Sequence, residues 1–79
     1  MAWREITVGE TRWSVSPIAE RTAKLKTWRL VLSFRAASSF QTPIRALYPL
    51  ESSSRSALFA QADQIPVDRI TALLAGQIQ

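Results

Sequence analysis

The side chains that most often carry enzymatic chemistry are missing from this sequence, which has no histidine and no cysteine. That removes imidazole acid–base catalysis and thiol nucleophiles, and with them zinc sites of the Cys/His kind and any disulfide. Ser33, Ser53 and Thr71 offer hydroxyls, but none has an imidazole to take its proton, and neither lysine sits in a motif that would replace one. The two glycines, Gly9 and Gly76, stand alone rather than in a phosphate-cradling loop. The six carboxylates fall in no recognisable pair. These residues lead us to expect a non-enzymatic protein without metal or cofactor.

What remains is binding chemistry. Ten basic side chains against six acidic ones give a net charge of +4, and the excess is local. Residues 1–35 hold seven Arg or Lys against three Glu, whereas residues 36–79 hold three against three. Arg12, Arg29 and Arg35 fall at one strand parity, with Lys26 nearby and Thr7, Ser14 and Ser33 among them. Such a patch suits an acidic protein surface, nucleic acid or anionic headgroups. Trp3, at the same outward parity, is either a rim residue covered by the tail or an exposed interface anchor. Trp3, Arg12, Lys26, Arg29 and Arg35 are therefore the candidate partner-binding residues.

The element that must position them is Trp28-Arg29-Leu30-Val31-Leu32-Ser33-Phe34-Arg35. Trp28, Leu30, Leu32 and Phe34 share one parity, while Arg29, Ser33 and Arg35 share the other. Strand side chains alternate faces, so a strand over about 27–35 shows a large apolar face and a mostly basic one. Before it, strands over about 3–8 and 11–16 flank Gly9-Glu10. A glycine first in a two-residue loop suits a type II′ hairpin. That loop sets Val8 opposite Thr11, Ile6 opposite Trp13 and Arg4 opposite Val15, and it puts Ile6, Val8, Trp13 and Val15 on one face.

Pro17 is expected to end the second strand, since proline lacks a ladder donor. Ile18–Lys26 then reads as a polar loop whose Arg21, Lys24 and Lys26 are available for contact. Ala36–Thr42 is small and polar, with Phe40 as an anchor. Pro43 and Pro49 frame a short edge strand over about 44–47. Pro49-Leu50-Glu51 leads out of the sheet.

Ser52-Ser53-Ser54 supplies N-caps for a helix over about 54–64, whose stripe is Leu58, Ala62 and Ile65 with Phe59 beside it. Pro66 breaks it and starts a second helix over about 67–75, with Val67, Ile70, Leu73 and Leu74 as its buried residues. Gly76 reads as the residue after that helix.

Strands first and helices last predict an α+β fold. The expected form is an antiparallel meander of three or four strands in a single small domain over 1–79, its aromatic face covered by two short C-terminal helices. The alternative is a small β-barrel closed by the helices. The opening Met and the absence of a tag lead us to expect a complete small protein. No apolar run is long enough for a spanning helix, and the charged N-terminus does not resemble a signal peptide. We therefore expect a cytoplasmic protein, with peripheral attachment to a membrane complex as a variant. The first functional expectation is an accessory subunit or adaptor docking on a larger protein assembly. The second is nucleic-acid binding through the basic sheet face, and the third is a peripheral subunit on an anionic membrane surface.

Overall fold

The computed structural model describes residues 3–21, 24, 26–37 and 43–78. Four strands, β1 (Arg4–Val8), β2 (Thr11–Glu20), β3 (Trp28–Ala36) and β4 (Ile44–Ser52), precede two helices, α1 (Arg55–Ala62) and α2 (Val67–Ile78). The strands form one antiparallel sheet in chain order, β1-β2-β3-β4. The sheet is open; the barrel alternative is not what forms. Phe40, expected as a loop anchor, lies outside the described residues.

Gly9 takes φ +63°, and no other described residue has positive φ, which is the type II′ pattern at Gly9-Glu10. The predicted register follows: Val8 opposes Thr11, Ile6 opposes Trp13 and Arg4 opposes Val15. A two-residue hairpin closes on a hydrogen-bonded pair, here Val8 and Thr11. Odd-numbered residues of β2 therefore aim their backbone groups at β1, and even-numbered ones aim at β3. The 2.9 Å bond from the Ala37 amide to the Arg12 carbonyl obeys that alternation.

This phase explains the first correction. β2 does not stop at Pro17 but continues to Glu20, so Ile18, Ala19 and Glu20 belong to the sheet and not to a loop. Pro17 opposes Leu32. Its ring nitrogen points away from β3, two residues beyond the last β1–β2 pair, Arg4 and Val15. No ladder bond to β3 is lost, so proline is tolerated there.

β4 needs the same correction. It runs through Pro49 to Ser52 rather than ending near Leu47. Leu30 opposes Tyr48, but Arg29 opposes Glu51, so Pro49 and Leu50 form a bulge that absorbs the proline. Two extra residues preserve parity, and Ile44, Ala46, Tyr48 and Leu50 all remain on the inner face.

Inner-face residues Ile6, Trp13, Val15, Leu30, Leu32, Phe34 and Ala46 meet Leu58, Ala62, Ile65, Ile70 and Leu74 in one apolar core. Both helices cover this face. Ser54 caps α1, its Oγ accepting from the Ala57 amide at 3.3 Å. After Ala62 the chain tightens, with the Ile65 amide on the Ala62 carbonyl at 3.0 Å, and Pro66 opens α2.

Two expectations about α2 fail. Val67 is 46% exposed, because Ile65 in the link already fills that end of the core. Gly76 is inside the helix, which continues to Ile78. A helical glycine costs only about 1 kcal/mol relative to alanine, and the docking of Leu73 and Leu74 carries the helix past it.

Candidate interaction surface

Among the described residues the opposite face of the sheet carries no helix. Its side chains fall in cross-strand rows fixed by the register. Thr7 and Arg12 lie at the hairpin end, followed by Glu5, Ser14 and Arg35, then Ser16, Ser33 and Arg45. Next comes Ile18, Val31 and Leu47, and last Glu20, Arg29 and Glu51. An apolar row spanning three strands is thus bounded by a serine–arginine row on one side and a charged row on the other. Val31 is nearly buried although it lies outside the core cluster, whereas Leu47 is 53% exposed.

The candidate residues read from the sequence separate on this framework. Arg12 and Arg35 point outward near the hairpin end and are exposed. Arg29 also points outward, six residues from Arg35, which is about 20 Å along the strand. It is not part of a basic patch. Glu20 and Glu51 oppose it on either side, and its Nη2 lies 3.6 Å from Glu20 Oε1. Its Nε is buried with no hydrogen-bond partner among the described residues. Lys26 is exposed at the approach to β3. Arg21, grouped with it in sequence, stacks over the Trp28 ring at 5.1 Å, so its charge is held against the sheet end.

Trp3 is used within the fold. Its Nε1 donates to Asp63 Oδ1 at 2.7 Å, and the Arg4 guanidinium sits 4.4 Å from its ring centroid. Arg4 Nη2 also donates to the Asp63 carbonyl at 2.8 Å. The N-terminal edge is thereby clamped to the end of α1.

Two features of the surface were missed in the sequence. Arg45 joins Arg12 and Arg35 on the outer face, and Leu47 completes the apolar row. Both followed from carrying the alternation through the expected 44–47 strand, where Arg45 and Leu47 share the outward parity. The bulge also opens a cleft of about 390 Å³ at the β4 edge, lined by Leu47, Tyr48, Pro49, Leu50, Glu51 and Arg29.

A scan against protein-family models found no match, and searches of curated proteins and of solved structures found none. Among the described residues no group of three or more acidic, histidine or cysteine side chains is placed to hold a metal ion. No described helix is long and apolar enough to cross a membrane.

Proposed function

We propose that this chain is a small non-enzymatic interaction protein, an accessory subunit or adaptor that docks on a larger protein assembly through the helix-free face of its sheet. The observation that carries this reading is the Ile18–Val31–Leu47 row. It crosses three strands with no covering helix or strand among the described residues and is rimmed by polar and charged rows. Protein interfaces share that anatomy, with an apolar centre from which water is excluded and a polar rim that sets orientation. Trp3 has no place in the docking surface, because its polar end is already paired with Asp63.

A second reading, nucleic-acid binding, is favoured by the convergence of Arg12, Arg35 and Arg45 near one end of this face. Sheet-based single-strand binders also present stacking aromatics. The outward positions of β2, β3 and β4 carry none.

A photoreactive residue placed at Leu47, with the same residue at exposed Ala60 on α1 as control, tests the docking face in native extract. The expected result is a discrete protein adduct from position 47 that survives nuclease and high salt. A nucleic-acid adduct that disappears as salt rises supports the second reading, since phosphate contacts weaken steeply with ionic strength. Equal labelling from both positions overturns the docking face.

A further inference from the structure

The backbone phase set at the Gly9-Glu10 turn propagates across the sheet. Odd-numbered residues of β3 bond to β2, so Leu30, Leu32 and Phe34 bond to Tyr48, Ala46 and Ile44 of β4. The backbone groups of odd-numbered β4 residues then face outward at the free edge. These residues are Pro43 just before the strand, then Arg45, Leu47 and Pro49, and beyond the bulge Glu51. The prolines have no amide to offer, so between Pro43 and Pro49 the open edge presents two N–H groups and the carbonyls beside them. Among the described residues, Arg45 and Leu47 have no backbone partner on that side.

The segment Pro43-Ile44-Arg45-Ala46-Leu47-Tyr48-Pro49 is symmetric about Ala46 in the features that matter for pairing. We propose that β4 pairs antiparallel with β4 of a second copy of this chain, about a two-fold axis through Ala46, to make a continuous eight-stranded sheet. Arg45 then exchanges both backbone bonds with the partner's Leu47, and Leu47 does the same with the partner's Arg45. Every outward N–H and C=O of the two residues is satisfied. Pro43 falls opposite the partner's Pro49, so no amide is stranded at either end. Ala46 meets its own mate at the closest backbone approach, where a small side chain fits.

Neighbouring registers are worse. Sliding by two residues one way sets Arg45 against the partner's Arg45, a like-charge pair, and leaves the Leu47 carbonyl facing a proline nitrogen. Sliding the other way leaves the Arg45 carbonyl facing a proline nitrogen. The prolines that shorten the edge thus also fix its register and prevent open-ended growth. The axis stands perpendicular to the sheet, so both helix pairs lie on one side and both helix-free faces on the other. This pairing does not depend on the docking reading above.

A five-residue strand pair buries less than the roughly 800 Å² per partner of a stable interface, so the dimer is expected to be reversible and concentration-dependent. Light scattering over a concentration series should show the mass rising from 8.9 kDa toward twice that value. Leu47→Pro removes an outward amide and no bond to β3. It should hold the mass at one chain while the circular dichroism stays unchanged.

Because the chain has no cysteine, the register is testable independently. Arg45→Cys and Leu47→Cys, mixed and oxidised, should cross-link at least about tenfold faster than either alone, since facing Cα atoms of a hydrogen-bonded pair lie near 5.5 Å. Like positions are diagonal at roughly 9 Å, beyond disulfide reach. A single-chain mass at millimolar concentration overturns the proposal, as does Leu47→Cys cross-linking alone as fast as the mixture.

Discussion

Leu32 and Val31 are neighbours in β3 and are both nearly out of water, at 0% and 8% exposure. They reach that state by different routes. Leu32 faces the helices and belongs to the core that joins sheet to helix. Val31 faces the other way, outside that core, with Ile18 and Leu47 as its cross-strand neighbours. The inner face is thus closed by a second layer of structure, while the outer face has no such layer among the described residues. The difference locates the stability of the molecule on one side of the sheet and leaves the other side free to meet something else.

Alanine substitutions at these two positions test the comparison most strongly. Leu32→Ala should cost about 3 kcal/mol or more, because the cavity it leaves is walled by β-strand and helix and cannot collapse fully. Val31→Ala removes two methyl-sized groups under a thin cover that solvent and Leu47 can refill, and should cost about 1 kcal/mol. Urea denaturation of both variants reads the difference directly. Equal losses would mean that the outer face is as well covered in solution as the inner one, and the asymmetry would fail.

The clamp at the N-terminal edge belongs to the inner side and predicts an intermediate effect. Trp3→Phe keeps the ring under Arg4 but deletes the bond from Nε1 to Asp63. Both partners are substantially solvated, so the loss should be about 1 kcal/mol rather than the larger value of a buried charged hydrogen bond. Amide exchange near the end of α1 should accelerate with it. Unchanged exchange there would show that the helix layer is held by the core alone.

Much of this arrangement was legible in the sequence, and the failures within the sheet have one cause. The alternation of Trp28 to Phe34 and the glycine turn were enough to place three strands, their faces and the hairpin register. The serine cap and the Leu58–Ala62–Ile65 stripe placed α1. Pro17 and Pro49 misled because a proline ends a strand only if its nitrogen faces a partner strand, and that direction depends on the phase of the whole ladder. Missing those extensions hid Ile18, Glu20 and Glu51 from the sheet. The outer face then read as mostly basic, when Arg29 in fact stands between two carboxylates. Trp3 illustrates another limit: its contact with Asp63, sixty residues away, has no local pattern.

The smallest effects separate the two ends of the outer face. Arg29 opposes Glu20 and Glu51 directly, so Arg29→Glu places three carboxylates in one cross-strand row. Two favourable pairings become two repulsions. Each cross-strand pair is worth a few tenths of a kcal/mol at a partly exposed site, after solvent screening, so the total should be about 0.5–1 kcal/mol. Arg35 opposes Ser14 instead, and Arg35→Glu should change stability by less than about 0.5 kcal/mol. The Arg29 loss should also shrink as salt is added, because the repulsion is partly screened. Thermal melts of the two variants at low and high ionic strength provide the measurement. If both charge reversals were equally silent, the Glu20–Arg29–Glu51 row would carry no energy, and Arg29 would return to the set of residues free for a partner.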